Sequence, residues 1–205
     1  MISSLATGGG TLVLAVATFS AVRSSNRSAR IAEQALLTGM RPLLLPSLAD
    51  APVQKVLWSD RHVIRLNGGR AVLESEGDVL YLAMGLRNVG AGIALLHGWY
   101  PMPDVAFETV PHADPEDFRR LTIDLYVQAG GSGYWEGAIR AADDPLRPGF
   151  MQALAERHPF TIDLLYGDQQ GGQRTISRFI VLPASDDGWY CQAGRHWNVD
   201  RPDPR

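Results

Sequence analysis

The chain has 205 residues, of which 45% are hydrophobic and 20% are charged, and its formal net charge is −3. This composition is typical of a globular protein and excludes a disordered one. It also argues against nucleic-acid binding, because that function needs a concentrated basic surface and no basic block follows residue 30. Without its N-terminal segment, the chain has the size of one ordinary domain.

The first segment of the chain is an uncharged run. Residues 2–22 contain no charged residue, and Arg23, Arg27 and Arg30 follow directly. As a helix, this run of about 21 residues measures about 31 Å, close to the ~30 Å hydrocarbon core of a bilayer. The sequence therefore predicts a transmembrane anchor over residues 1–22. A soluble helix and a cleaved secretory signal are the alternatives, although no basic residue precedes the run as a signal requires.

The three arginines predict an orientation. The positive-inside rule places Arg23, Arg27 and Arg30 on the cytoplasmic side, together with the large C-terminal part. The single cysteine, Cys191, offers no intramolecular disulfide, which is consistent with a reducing compartment. We therefore expect a single-pass protein of the cell membrane with a cytoplasmic C-terminal domain.

Residues 23–40 are predicted to continue as a juxtamembrane stalk helix. Ile31, Ala35 and Leu36 share one helical face. Gly39 is a typical end of a helix, and the following Arg41-Pro42 cannot continue one. The alternative to a simple stalk is a helix that pairs with a partner or with a second copy.

Residues 41–205 change to the period of β-strands, with turn signals such as Asn67-Gly68-Gly69 between short apolar or alternating runs. Strands are predicted at residues 43–45, 53–58, 61–66, 79–87, 93–99, 121–127, 134–139, 160–166 and 174–182. In the run 121–127, we expect Leu121, Ile123, Leu125 and Val127 to face the core. Short helices are predicted at 114–117 and 148–157. The predicted fold class is mainly β, an N-terminal transmembrane helix followed by an antiparallel β-sandwich over residues 41–205.

Two glycine-rich segments resemble parts of phosphate-binding loops. Gly90-Ala91-Gly92 lacks the third glycine of a dinucleotide loop and precedes a strand instead of a helix. The segment 130–133 has no Lys-Ser/Thr after it, and its serine does not stand in a nucleophile elbow. We interpret the first as a hairpin turn whose glycines supply positive φ, and the second as a flexible connection. The sequence predicts no cofactor.

The residues that most often carry chemistry are scattered. The five histidines have no spacing that suits a shared metal, and Cys191 has no vicinal thiol. We predict no metal site and no catalytic residue, and a buried structural role for the cysteine. Trp58 stands beside the charged Asp60 and Arg61, which raises the hypothesis of an exposed aromatic side chain that contacts a partner protein.

Two motifs carry a family resemblance. Leu86-Arg87-Asn88-Val89-Gly90-Ala91-Gly92-Ile93-Ala94 resembles a strand–turn–strand signature of bacterial membrane-anchored proteins of unknown function. Tyr166-Gly167-Asp168-Gln169-Gln170-Gly171 resembles their Tyr-x-Asp-x-x-Gly hairpin, and an N-terminal span with an Arg-Pro-led first strand is also typical of them. The resemblance implies an immunoglobulin-like sandwich and no known activity. It marks Asn88, Gly90, Gly92, Tyr166, Asp168 and Gly171 as structural turn residues.

These observations favour a non-enzymatic interaction or scaffold module that a membrane tether holds near a protein partner. The first alternative is a ligand-binding or enzymatic β-domain whose site is assembled across loops, around His97, His112 and the Gly130 loop. The second alternative is a structural subunit of a membrane complex, for which a large exposed apolar patch would be typical.

Overall fold

The computed structural model describes residues 2–106 and 110–203; for residues 2–16, 38 and 122 it describes the backbone only. The chain divides into two units, Met1–Gly39 and Met40–Arg205. The first unit is a helix, and the second contains the strands described below.

Helix α1 spans Ile2–Gly39 without a break, so the predicted anchor and the predicted stalk form one helix. The side chains of residues 17–36 are exposed. The side chains of residues 2–16, which make up most of the predicted anchor, lie outside the described residues. In the part of the chain that the structure describes, no helix is both long enough and apolar enough to cross a membrane.

The second unit is mainly β, as predicted. Its strands are β1 (Leu44–Pro46), β2 (Gln54–Leu57), β3 (Val63–Leu66), β4 (Arg70–Glu76), β5 (Val79–Asn88), β6 (Ala94–Met102), β7 (Arg119–Val127), β8 (Ser132–Ile139), β9 (Phe160–Gly167), β10 (Thr175–Pro183) and β11 (Trp189–Asn198). A 3₁₀ turn covers Pro115–Asp117, where the Asp114 carboxylate accepts from the Glu116 amide, and helix α2 covers Arg147–Glu156. Both lie where the sequence predicts short helices. Strand β4 was not predicted, and the region of β11 gave no clear period.

Nine of these strands form one antiparallel sheet that curls upon itself. Strand β8 pairs with one edge of β5, whose other edge pairs first with β4 and then with β1. The sheet continues from β4 through β11, β10, β9 and β6 to β7. The two end strands, β7 and β8, are consecutive in the chain. We call the line along which they lie next to each other the seam. Within the described residues they pair with β6 and β5 and not with each other.

One hydrophobic core lies inside the curled sheet. It contains Leu82 and Met84 from β5, together with Ile162 and Leu164 from β9 on the opposite side. The β2–β3 hairpin packs against the outer face of β5 and forms a second, smaller cluster around Trp58 and other buried residues. The domain is therefore built as one curled layer with a hairpin attached to its outside.

Strand β7 departs from its predicted pattern in the middle. Leu125 and Val127 are buried as predicted, but Ile123 is 44% exposed. The register between β6 and β7 shifts between Leu96 and Gly98, which leaves residues 121–124 without partners on β6. This irregularity turns the Ile123 side chain away from the core, because a bulge breaks the two-residue alternation of a strand.

An ion pair is buried on the face of β9 and β10 that points away from the core. Asp163 and Arg178 are register partners and share two hydrogen bonds, of 2.8 and 2.7 Å. The same guanidinium donates to the backbone carbonyls of Val110 and Pro111. The pair therefore attaches the loop between β6 and β7 to the sheet.

Candidate functional site

Asn88 is the centre of the first motif that carries the family resemblance. It ends β5 and is almost fully buried. Its side-chain oxygen accepts from the amides of Leu43 (3.1 Å) and Gly90 (3.0 Å). Its side-chain nitrogen donates to the carbonyls of Gly92 (2.6 Å) and Val127 (3.1 Å). One buried amide thus uses all of its hydrogen-bonding groups to join four separate backbone positions.

The backbone of Asn88 adds contacts to the turn between β7 and β8. Its amide donates to the Gly131 carbonyl, and its carbonyl accepts from the Gly130 amide, both at 2.9 Å. Gly130 has a φ of 67°, a conformation that favours glycine. Residues 130 and 131 therefore lie in the turn between β7 and β8, whereas residues 132 and 133 of the predicted flexible connection already belong to β8.

Tyr166, from the second motif, reaches the same first strand. Its hydroxyl accepts from the amide of Leu44 (3.1 Å) and shares a 2.7 Å hydrogen bond with the hydroxyl of Ser177, which in turn lies 2.5 Å from His196 Nδ1. The Tyr166 ring is fully buried in the core, and this burial raises the pKa of its hydroxyl. The Leu43 amide donates to the Asn88 side chain, and the Leu44 amide donates to the Tyr166 hydroxyl. We call these two hydrogen bonds the amide clamp.

The two glycines of the first motif act differently from their predicted role. Neither Gly90 nor Gly92 has a positive φ. A Cβ at Gly90 would overlap the backbone of residues 41–43, and one at Gly92 would overlap the carbonyl of Met40. These positions require glycine because the chain that follows α1 passes directly against them, so the prediction of positive φ was wrong.

Asp168 and Gly171 form the turn of the β9–β10 hairpin. The Asp168 carboxylate accepts from the amides of Gln170 and Gly172, both at 3.1 Å, which makes an Asx turn. Gly171 has a φ of 79°. Both residues hold the hairpin geometry that places Tyr166 and Ser177 side by side.

The hypothesis that Trp58 is exposed is wrong. The side chain is only 3% exposed, and its indole nitrogen donates to the carbonyl of Gly137 on β8. The ring packs against Tyr81 and His62 at centroid distances of 5.1 and 5.3 Å. The charged neighbours that suggested exposure lie in the turn of the β2–β3 hairpin, where Asp60 accepts from the Tyr81 hydroxyl.

The alternative site around His97, His112 and the Gly130 loop is not assembled. His97 is the bulged residue of β6 and lines a cavity with Arg120 and Arg174. Burial, and then the charge of Arg174, lower the pKa of His97. His112 instead packs edge-on against Trp197, and Gly130 lies in the turn held by Asn88. Among the described residues, no group of three His, Cys, Asp or Glu side chains could hold a metal ion.

The orientation residues Arg23, Arg27 and Arg30 lie on α1 with exposed side chains. Cys191 lies on β11, and burial raises the pKa of its thiol. Its sulfur lies 3.6 Å from that of Met84. These surroundings agree with a structural cysteine.

A cleft that the sequence did not predict lies at one end of the seam. It has a volume of about 280 Å³. Residues 136–138 of β8 form one side, residues 119–121 of β7 form the other, and the lining is completed by Trp58, Trp99, Arg140 and Asp144. We call it the seam cleft.

Glu136 is the unusual group of the seam cleft. Glu136 is only 6% exposed, and its Oε2 atom is buried without a hydrogen-bond partner in the described part of the chain. Burial raises the pKa of Glu136 to about 7, with Arg140 opposing the rise and Asp60 adding to it. Perturbed groups in clefts are candidates for functional residues.

Two ion pairs border this carboxyl. Arg119 donates to both oxygens of Asp144, at 2.7 and 2.9 Å, and this bond holds the pKa of Asp144 below its ordinary value. The Nη2 atom of Arg140 lies 3.1 Å from Oδ2 of Asp60. Arg120 lines the same cleft, so three arginines surround Glu136, which forms no ion pair among the described residues.

No protein-family model matches the chain, and no curated protein matches it. A crystal structure of a protein from Archaeoglobus fulgidus is similar over 65% of this chain and 96% of that chain, with 12% identity and a TM-score of 0.25. A likeness at this score supports no conclusion about fold or function. The site must therefore be interpreted from its own geometry.

We predict that Asn88→Ala lowers the free energy of unfolding by about 2–4 kcal/mol, because it leaves several buried backbone groups without partners. Tyr166→Phe, which removes one hydroxyl, costs about 1–3 kcal/mol. Hydrogen exchange should locate each effect, at the Leu43 amide for the first variant and at the Leu44 amide for the second. Asn198→Ala, which removes a bond at the surface, is the control. Unchanged exchange at Leu43 in Asn88→Ala would contradict the clamp.

We predict that Glu136→Gln removes a pH-dependent loss of stability. The ordinary pKa of this carboxyl is 4.5 and its folded value is about 7, so the native state holds the extra proton between these values. Stability therefore falls as the pH rises through this range, by about 2–3 kcal/mol. Urea unfolding from pH 5 to 8 should show a flatter profile for Glu136→Gln than for the wild type. The exposed Glu116→Gln is the control, and equal profiles for all three proteins would refute the shift.

Proposed function

We propose that this protein is a non-enzymatic interaction module, tethered to the cell membrane as a single-pass protein with its C-terminal domain in the cytoplasm. The observation that carries the proposal is the order of features at the N-terminus. An uncharged run and three arginines lie on one continuous helix, and the amide clamp grips the chain a few residues after that helix ends. The clamp therefore fixes the first strand of the domain close to the point where the chain enters it.

The proposal includes the family resemblance and the sandwich. The two sides of the curled sheet enclose one core, as the layers of an immunoglobulin-like sandwich do. The residues of both resembling motifs form bonds at the amide clamp or in the hairpin that positions it. These features support a relation to the bacterial membrane-anchored proteins whose motifs the chain resembles.

The outer face of the β2–β3 hairpin is the contact surface that we propose in place of Trp58. Leu57 and Val63 are register partners on this face and are 50% and 44% exposed. Lys55 and Arg65, which are both exposed, oppose each other one step further along the hairpin. Because two like charges across a strand pair repel each other, the arrangement favours a protein partner that offers carboxylates beside an apolar patch.

The tether predicts that the full chain stays in the membrane pellet after alkaline carbonate extraction. Leu14→Arg together with Val16→Arg should release it, because a charged side chain in the middle of a span costs about 2.5–3.5 kcal/mol. Ile31→Arg with Leu36→Arg changes the stalk equally and should leave the protein in the pellet. A reporter at Arg205 should work only in its cytosolic form. Release of the stalk variant together with the span variant, or a reporter active outside, would contradict the tether.

The contact surface predicts a crosslink through Lys55, the only lysine of the chain. A zero-length carbodiimide joins an amine to a carboxylate, so treatment of membranes should give one defined adduct that mass spectrometry places at Lys55. Lys55→Arg keeps the charge and should remove the adduct. Leu57→Ser with Val63→Ser should reduce it several-fold without lowering the melting temperature. An adduct that survives Lys55→Arg would place the contact elsewhere.

A further inference from the structure

The β2–β3 hairpin is held against the curled sheet by its side chains. In the described part of the chain, its two strands pair with each other and with none of the nine strands of the sheet. Its inner face buries Val56, Trp58 and Leu66 in one cluster with Tyr81 and Ala83 of β5. A small element that shares no backbone hydrogen bonds with its neighbours can open separately from the rest of a domain. The side-chain groups beneath the hairpin therefore decide whether it is docked.

His62, directly before β3, contacts the sheet through both nitrogens of its ring. Nε2 lies 2.5 Å from Oε1 of Glu74, and Nδ1 lies 2.5 Å from Oε2 of Glu76. Both acids belong to β4, so these contacts join the hairpin to the sheet. A neutral imidazole has one N–H group, whereas the protonated ring has two. This geometry requires the protonated ring, because a neutral ring would direct a lone pair at one of the carboxylates.

Glu136 lies beneath the same hairpin and needs a proton for a different reason. Its register partner on β5 is Ala83, which belongs to the cluster that the hairpin covers. Tyr134 and Ala138, two positions away on either side, pack against that cluster as well. The Oε2 atom of Glu136 is buried and has no hydrogen-bond partner among the described residues, which disfavours the ionised form. Movement of the hairpin away from β5 exposes this carboxyl to water, where the ionised form is favoured.

The remaining titratable groups that face these two residues, besides Glu74 and Glu76, keep one protonation state between pH 6 and pH 8. Burial opposes ionisation of Asp60, but the hydrogen bond from Tyr81 and the charge of Arg140 help to outweigh it, so that the pKa of Asp60 is lowered. Burial raises the pKa of Tyr81 to about 12, and the hydrogen bond to Asp60 adds to the rise. Burial also raises the pKa of Tyr134, and the bond from Arg119 lowers that of Asp144. The guanidinium groups, which stay protonated, are those of Arg119, Arg120 and Arg140.

We propose that the β2–β3 hairpin is a proton-controlled latch, which is docked while His62 and Glu136 are protonated and opens from the sheet when they lose their protons. The latch goes beyond the tethered interaction module and rests on neither the tether nor the partner. Because the hairpin also carries the proposed contact surface of Leu57 and Val63, the latch makes the position of that surface depend on pH.

The two protons act in the same direction. Burial opposes protonation of His62, but the bonds to Glu74 and Glu76 outweigh it and raise its pKa above the ordinary value of 6.5. Burial raises the pKa of Glu136 from 4.5 to about 7, against the charge of Arg140. A group whose pKa is higher in the docked state stabilises docking below its ordinary pKa, and this stabilisation is lost as the pH rises through the docked value. From pH 6 to pH 8, Glu136 alone increases the ratio of open to docked hairpin about tenfold, and His62 increases it further.

The experiment measures hydrogen exchange at indole nitrogens by proton–nitrogen correlation spectra of the full chain in detergent, at pH 6 and pH 8. The indole N–H of Trp58 donates to the Gly137 carbonyl on β8, so it exchanges when the hairpin opens. The indole N–H of Trp135, which is buried in the main core, exchanges when the whole domain unfolds. Each rate is divided by that of free tryptophan at the same pH, which gives an opening ratio for each site. The Trp58 signal is assigned with Trp58→Phe.

We expect the opening ratio of Trp58 to exceed that of Trp135 about tenfold or more, because the hairpin opens without unfolding of the core. In the wild type, the Trp58 ratio should rise by more than about tenfold from pH 6 to pH 8. Glu136→Gln keeps the shape of the side chain and should remove one part of this rise, and His62→Gln should remove the other. The double variant should show no dependence on pH. Glu116→Gln, at the other cavity, should behave like the wild type.

Protection of Trp135 at pH 6 shows that each variant is folded. Equal opening ratios for Trp58 and Trp135 would mean that the hairpin opens only when the domain unfolds, which would overturn the proposal. A Trp58 ratio that does not rise with pH in the wild type, or a rise that persists in the double variant, would overturn it as well.

Discussion

The rest of this domain depends on the two hydrogen bonds that the backbone amides of Leu43 and Leu44 donate. Strand β1 is only three residues long, and the amides at its beginning need buried acceptors. Asn88 supplies one and Tyr166 the other, from strands that are far apart in the sequence. The same Asn88 also fixes the turn between β7 and β8 through its backbone. One small junction therefore sets the position of the chain after α1 and the closed end of the seam.

Much of the fold follows from local patterns, and its exceptions have identifiable causes. The strands with clear alternation or apolar runs lie near their predicted positions, because one face of each is buried in a single core. Strand β4 escaped prediction because it ends in Glu74, Ser75 and Glu76, and its two acids bind His62 of the hairpin instead of marking a loop. Trp58 was misjudged for a related reason, since Asp60 beside it forms an ion pair with Arg140 and accepts from the Tyr81 hydroxyl.

The candidate site depends on contacts that no local pattern encodes. A glycine required for close approach looks in sequence like a glycine required for positive φ, and only the chain passing Gly90 and Gly92 distinguishes them. Glu136 stands in the predicted strand 134–139, where nothing in the sequence distinguishes it from a solvent-facing acid. Its burial results from the β2–β3 hairpin, whose own packing face could not be assigned without the sheet beneath it.

The clamp and the cleft lie at opposite ends of the same seam. Near the turn, Asn88 bonds to Val127 of β7 and to the backbone of Gly131 just before β8, so the two strands are held together there. Beyond the irregular segment of β7, residues 119–121 of β7 and residues 136–138 of β8 enclose the cleft. A sheet that closed completely would pair the backbones of β7 and β8 and leave no room for the cleft. Within the described residues these two strands stay unpaired along the whole seam. The bonds that Asn88 forms to Val127 and to Gly131 therefore hold the sheet closed near the turn, where the strands themselves do not.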